Sequence, residues 1–127
     1  IALFNKVKPP YNISEIAQNA IFQALENKKQ VEETIRQIIR EREKLIENLS
    51  KLEIVRKIYP TNANFVLVKI VDAEKIYRFL LNEKIVVRDR NNVELCEGCL
   101  RITIGTPAEN ESLLKSLKKL AAEDTED

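Results

Sequence analysis

The sequence predicts an α+β fold: a long N-terminal helix or helix pair, followed by a β-β-α-β-β-α layer with a mostly antiparallel sheet. Apolar residues recur at helical spacing from Ile13 to Leu49, and four later segments alternate between apolar and polar residues. A helical pattern follows each pair of these segments. Strands that are joined in pairs favour an antiparallel sheet with its helices on one face.

The helical region begins after a pair of prolines, which end any helix before them. Asn12, with Glu15 three positions later, has the spacing of a capping box. The apolar stripe lapses at residues 26–30 and then resumes, so we predict two helices, or one kinked helix, ending near Ser50. The stripe consists of Ile13, Ile16, Ala17, Ala20, Ile21, Ala24, Leu25, Val31, Ile35, Ile38, Ile39, Leu45, Ile46 and Leu49.

The first two strands are predicted at Ile54–Tyr59 and Phe65–Ile70, separated by a turn that contains proline and asparagine. We expect them to pair antiparallel. Asp72 has the position of a helix cap, and the helix is predicted to extend through Asn82. Its buried stripe is predicted to be Ala73, Ile76, Tyr77, Leu80 and Leu81.

The third and fourth strands are predicted at Ile85–Arg88 and Leu100–Ile104, with a turn-forming loop between them. A final helix begins with proline in its first turn. Thr106 is its expected cap, and Glu109 completes a capping box. The inward-facing residues of this helix are predicted to be Leu113, Leu114, Leu117 and Leu120.

Composition excludes several classes of function. The chain has 127 residues, with 21 basic and 20 acidic side chains, and its net charge of +1 provides no broad field for nucleic acid or a membrane surface. No run approaches the ~18 apolar residues of a transmembrane helix. We expect a cytoplasmic protein, and the two cysteines are compatible with a reducing compartment.

The residue types also restrict the chemistry. The chain contains no histidine, which excludes a Ser-His-Asp or Cys-His arrangement within it, and two glycines do not build a phosphate-binding loop. Cys96 and Cys99 have the spacing of half a zinc site or a redox pair, but a structural zinc needs four ligands. We interpret them as free loop cysteines and predict no metal-binding residue in this chain.

Two arginines are the candidate binding residues. Alternation places Leu100 and Ile102 on one face of the fourth strand and Arg101 on the other, and Arg88 ends the third strand. A guanidinium presents parallel N–H donors to a carboxylate or a phosphate. The pattern alone leaves open whether Arg101 is an anion receptor or a solvated charge. It also leaves open whether the charges at positions 89 and 90 orient Arg88 or are solvated loop charges.

Four separated segments, taken together, resemble the C-terminal part of the histidinol-phosphate aminotransferases, which are fold-type I pyridoxal-phosphate enzymes. The similarity extends from Ile1 to about Leu120. The segments are Lys8–Ser14, Asn64–Val68, Val87–Asp89 and Gly98–Thr106. The resemblance implies the small C-terminal domain of that fold, and Arg101 and Arg88 match the family's substrate-anion arginines.

The resemblance implies a function for the complete enzyme. Glutamate gives its amino group to pyridoxal phosphate, and imidazole-acetol phosphate takes it up to form histidinol phosphate, in histidine biosynthesis. The partners would be histidinol phosphate, glutamate and 2-oxoglutarate, in a homodimer. The cofactor-binding lysine and most groups that hold the cofactor would lie upstream of this chain. The resemblance therefore implies no catalytic or cofactor-binding residue here, and the fragment is expected to be inactive alone.

The resemblance also implies a division of the chain. Residues 1–13 would be the end of a preceding helix and a connector. Residues 14–50 would be a helical segment that links to a missing large domain, and residues 51–121 an α+β small domain. Residues 122–127 are expected to be a disordered acidic tail. Two alternatives remain: a related aminotransferase acting on aromatic or other amino acids, and a stand-alone domain that binds a small molecule.

Overall fold

The computed structural model describes residues 13–123. Contacts divide the chain into two compact units, Ile1–Ile35 and Arg36–Asp127, and each is described by itself. The described helices and strands are α1 (Glu15–Glu26), α2 (Lys28–Leu49), β1 (Val55–Ile58), β2 (Phe65–Ile70), α3 (Ala73–Asn82), β3 (Arg88–Asp89), β4 (Cys99–Thr103) and α4 (Pro107–Glu123). Among them, no helix is long and apolar enough to cross a membrane.

The prediction of two helices before residue 50 is confirmed. Asn12 lies outside the described residues, and the cap of α1 is Ser14, whose hydroxyl accepts a hydrogen bond from the Ala17 N–H at 3.2 Å. Asn27 separates the two helices. Its N–H donates to the Ala24 carbonyl, and its own carbonyl accepts from the Gln30 N–H, so Asn27 both ends α1 and starts α2.

The apolar stripe of α1 is exposed. No residue of α1 is buried, and Ile16 and Phe22 have 83% and 64% of their surface accessible within the described residues. The helical periodicity of these residues was sufficient to predict the helix, since periodicity depends only on local geometry. Burial requires a packing partner.

The sheet has the strand order β1-β2-β4-β3, with every neighbouring pair antiparallel. The bounds of β2 are those predicted. β1 is one residue shorter at each end than predicted, and its pairing with β2 shifts register between Val55 and Lys57. β4 begins at Cys99, which pairs with Lys69, and ends at Thr103. The α+β fold class is confirmed.

The predicted third strand at Ile85–Arg88 is wrong in its bounds, because β3 contains only Arg88–Asp89. Lys84 has a left-handed φ of 61°, and the Ile85 N–H donates to the Leu80 carbonyl at 2.8 Å. The chain is therefore still closing the C-terminal end of α3 at this point. The apolar run therefore contributes residues to the core from a loop and not from a hydrogen-bonded strand of the sheet.

One core fills the unit Arg36–Asp127. It lies against one face of the sheet and is built by the second half of α2, by α3 and by α4. The fully buried side chains are Leu45, Leu49, Val66, Val68, Leu80, Leu100 and Leu117, with Cys99 on the other face of β4. One stripe prediction needs correction, because Leu81 is 40% exposed. Tyr77 and Leu114 are half-buried and pack against the core. Helix α4 continues to Glu123, beyond the predicted start of the tail.

Candidate anion-binding site

Strand register brings Arg88 and Arg101 together. They are directly opposite each other in the antiparallel pair of β3 and β4, and Asp89 is opposite Leu100. Residues that are directly opposite share a face of the sheet. Leu100 and Ile102 are buried in the core on either side of Arg101, so the two arginines lie on the opposite face of the sheet.

Arg101 is half-buried, and its guanidinium carbon lies 4.9 Å from the centre of the Phe65 ring. Phe65 projects from β2, the other neighbour of β4. This cation–π contact holds the side chain against the sheet. Within residues 13–123, the Nε atom of Arg101 is buried without a hydrogen-bond partner. Buried donors are rarely left unpaired, so this N–H is available to an acceptor on a ligand.

Among the described residues, no acidic side chain forms an ion pair with Arg101. Burial, followed by the nearby charges of Arg88 and Arg90, lowers the pKa of Arg101 below its usual value. An arginine remains protonated at neutral pH even so. None of the ion pairs formed by the described residues involves these three arginines. Within residues 13–123, the site therefore has positive charge that no ion pair neutralises.

Asp89 shapes the loop instead of neutralising an arginine. Its carboxylate accepts a hydrogen bond from the Asn91 N–H at 2.8 Å, and the Asn91 side chain accepts one from the Gly98 N–H at 2.7 Å. Backbone hydrogen bonds link residues 90 to 93, 93 to 96 and 96 to 99. Gly98 has a φ of 72°, which favours glycine. The predicted turn-forming loop between the strands is confirmed.

The two cysteines are free, and their environments differ. Cys96 is half-buried and Cys99 is fully buried. Burial, and secondarily the neighbouring Cys96, raises the pKa of the Cys99 thiol. The described residues form no group of three or more histidine, cysteine or acidic side chains suited to a metal. A reactive cysteine has a lowered thiol pKa and an accessible sulfur, so Cys99 has the opposite properties.

Cys96 is expected to react with N-ethylmaleimide much faster than Cys99 near neutral pH. The thiolate is the reactive form, and a raised pKa together with burial keeps Cys99 protonated and covered. Tandem mass spectrometry of the tryptic peptide 91–101 separates the two positions. A Cys96→Ser variant should remain nearly unlabelled until it is unfolded, and equal labelling rates would contradict the prediction.

A buried polar network that the sequence analysis missed holds the end of β4. The Asn110 side chain accepts from the Gly105 N–H at 3.0 Å and donates to the Gly105 carbonyl at 3.1 Å and to Glu41 at 3.2 Å. Glu41 and Asn110 are each only 6% exposed. Both occupy positions in line with an apolar stripe, four residues before Leu45 and three before Leu113. That spacing is the signal by which they are recognisable.

Glu41 is expected to make stability depend on acid pH. Hydrogen bonds from Lys44 and Asn110 lower the pKa of its carboxyl from 4.5, against an opposing effect of burial. A depressed folded-state pKa stabilises the fold above the unfolded value, and this contribution is lost as the pH falls through the folded value. We expect the urea unfolding midpoint to fall on acidification below about pH 4.5.

The matched test compares Glu41→Gln with Glu43→Gln, an exposed position on the same helix. Glu41→Gln should flatten the acid limb of the stability profile, whereas Glu43→Gln should leave it unchanged. Part of the slope should remain in Glu41→Gln, because the pKa values of Glu47 and Glu109 are also lowered. An unchanged slope in Glu41→Gln would rule out the proposed role of this carboxylate.

Known proteins identify the family. The family model described as aminotransferase class I and II matches residues 1–117. A histidinol-phosphate aminotransferase from Cytophaga hutchinsonii is 44% identical over 118 residues, and one from Flavobacterium psychrophilum is 46% identical over 120 residues. These alignments cover 93% and 94% of this chain. The chain spans only 34% of the length of each relative.

Solved structures agree with the sequence relatives. The histidinol-phosphate aminotransferase from Clostridium acetobutylicum matches with a TM-score of 0.82 and 30% identity, over 96% of this chain and 37% of that protein. An L-threonine-O-3-phosphate decarboxylase from Porphyromonas gingivalis matches with a TM-score of 0.62 and 27% identity, over 68% of this chain and 28% of that protein. The chain therefore belongs to the class I and II aminotransferase family.

Proposed function

We propose that the chain is the C-terminal domain of a histidinol-phosphate aminotransferase and that it supplies the arginines that bind substrate anions. The supporting observation is the Arg101–Arg88 pair on the open face of the sheet, with a buried, unpartnered Nε and no acidic neighbour among the described ion pairs. The names of the relatives support the choice of substrate.

The chemistry of the pair suits two different substrates. Glutamate and 2-oxoglutarate present carboxylates, and histidinol phosphate presents a phosphate. A guanidinium fork accepts two oxygens from either group without changing its own protonation. Arg101 binds and orients the anion, the Phe65 ring keeps one side of the guanidinium dry, and Arg88 adds a second, exposed donor. One site thereby serves both half-reactions.

Enzymes of this family generally use pyridoxal phosphate, which carries the amino group between the two substrates. The described residues do not suit that cofactor. Every lysine in residues 13–123 is exposed, whereas a cofactor-binding lysine is usually desolvated. Asp72 caps α3 and Asp89 accepts from the loop backbone. We infer that a large domain outside this chain holds the cofactor, and that this fragment is inactive alone.

The complete enzyme is proposed to be a cytoplasmic homodimer.

Two other substrate assignments compete within the same fold. One is an aminotransferase acting on aromatic or other amino acids. The other is an enzyme for a different phosphorylated amino acid, a class represented by the name of the Porphyromonas gingivalis neighbour. A stand-alone sensing domain is disfavoured, because 117 residues match the aminotransferase model.

The decisive experiment uses the full-length protein that carries this sequence, loaded with pyridoxal phosphate. Histidinol phosphate should change the visible absorption of the bound cofactor, and 2-oxoglutarate should restore it with formation of glutamate. Phenylalanine, tyrosine and O-phosphothreonine serve as competing substrates, and the 127-residue chain serves as the inactive control. A response to one of the competitors, without a response to histidinol phosphate, would overturn the substrate assignment and leave the family unchanged.

A further inference from the structure

A third guanidinium belongs to the same row. The Arg90 N–H donates to the Cys99 carbonyl at 3.0 Å, so the ladder that pairs Arg88 with Arg101 continues past the end of β3. Side chains alternate along a strand, which places Arg90 on the same face as Arg88, two residues earlier. Arg90 is half-buried and Arg88 is exposed.

The charge of Arg90 reaches the anion site. Together with burial and with Arg88, it depresses the pKa of Arg101. The intervening Asp89 does not neutralise the row, since its carboxylate accepts from the Asn91 N–H and it pairs opposite Leu100. The described ion pairs include none of the three arginines. A bound anion is therefore the available counter-charge for this row.

We propose that Arg90 is a specificity-determining residue that makes the site prefer a phosphate dianion to a carboxylate. The inference rests on the proposed function. It explains how the site would distinguish the phosphate ester from the carboxylate substrates. One guanidinium fork satisfies both oxygens of a carboxylate. A phosphate ester has three terminal oxygens and nearly twice the charge near neutral pH, so a third cation interacts with it more strongly than with a carboxylate.

The position of Arg90 is suited to this role because its loop is well ordered by hydrogen bonds. The Arg90 carbonyl accepts from the Val93 N–H at 2.9 Å, and the Asn91 side chain bonds to Gly98 across the loop. These bonds hold the Arg90 backbone, and its side chain is half-buried. A partly desolvated charge interacts more strongly than a fully solvated one. The Arg90 side chain thus differs from an ordinary solvated loop arginine.

The test uses the full-length enzyme and an Arg90→Gln variant. Dissociation constants for histidinol phosphate and for glutamate are measured by titration of the cofactor absorbance, at about pH 8 and about pH 5.5, on either side of the second phosphate pKa near 6. At the higher pH, Arg90→Gln should weaken histidinol phosphate about tenfold and glutamate about threefold or less. The difference should shrink at the lower pH, where the ester is mostly a monoanion.

Arg56→Gln is the matched control, since it removes the same charge from an exposed position on β1. It should change neither constant by more than about twofold. Arg90→Lys, which retains the charge but not the fork, should restore part of the phosphate preference and shows that the loop tolerates substitution. Equal weakening of both substrates by Arg90→Gln, or weakening of neither, would overturn the inference alone. A parent enzyme without affinity for histidinol phosphate would overturn the proposed function together with it.

Discussion

Replacing Arg101 by alanine is expected to weaken the binding of both substrates by at least about 100-fold in the full-length enzyme. The arginine is half-buried against Phe65, and its Nε has no partner among the described residues. A substrate anion that loses this guanidinium is left next to Arg88, which is exposed and therefore a weaker partner. Both half-reactions should be affected, because the proposed site receives both the carboxylate and the phosphate.

Arg101→Lys should recover little of this binding. Lysine keeps the positive charge, but it presents a point charge in place of two parallel N–H donors. Its ammonium group also does not reproduce the planar contact of the guanidinium with Phe65. Titration of the cofactor absorbance with histidinol phosphate and with glutamate measures each constant. Binding in Arg101→Lys close to that of the parent enzyme would show that charge alone is sufficient at this position.

Arg78→Ala is the control for loss of an arginine. Arg78 is exposed on α3, where it forms an ion pair with Glu74 within the same helix. Surface pairs of this type contribute little to stability, so the variant should fold as the parent does. Because Arg78 is not part of the proposed anion site, the variant should also bind both substrates as the parent does. If Arg101→Ala binds both anions as tightly as Arg78→Ala, Arg101 is a solvated strand charge and the anion site lies elsewhere.

Replacing Asn110 by alanine is expected to lower the free energy of unfolding by about 2–4 kcal/mol. The Asn110 side chain makes three hydrogen bonds: two with the backbone of Gly105 and one with Glu41. Alanine leaves the N–H and carbonyl of Gly105 without this partner at a half-buried position. A buried donor without a partner costs more than the hydrogen bond itself contributes.

Urea unfolding measures this effect as a lower midpoint at an unchanged m-value. The matched control is Asn48→Ala, because the Asn48 amide donates only to the Lys44 carbonyl of its own helix. We expect Asn48→Ala to cost less than about 1 kcal/mol. Equal midpoints for the two variants would mean that the network between α2 and α4 contributes nothing beyond an ordinary surface hydrogen bond.

Local patterns predicted those elements whose formation depends on neighbours in the sequence. The bounds of β2 follow from alternation, since Val66, Val68 and Ile70 are buried and Lys69 is exposed. The start of α4 is equally local. The Thr106 N–H donates to Glu109 at 2.7 Å, and the Thr106 hydroxyl accepts from the Glu109 N–H at 3.4 Å, as a capping box requires.

Predictions failed where an element's partner decides its structure. The apolar run Ile85–Val87 has strand composition, yet Val86 is 80% exposed and Val87 is buried in a loop, because the chain first completes the end of α3. Leu81 continues a helical stripe but extends beyond the edge of the core. The position of that edge is set by tertiary packing and does not follow from the composition.

For the candidate site, the sequence by itself determined that Arg101 lies on the face of β4 opposite Leu100 and Ile102, because alternation is a property of a single strand. Only the tertiary structure decided the rest. The row of Arg88, Arg90 and Arg101 depends on the register across a loop, and the contact between Glu41 and Asn110 joins residues 69 positions apart. Pairing between distant segments is decided by the packing of the whole chain, and a local pattern does not specify it.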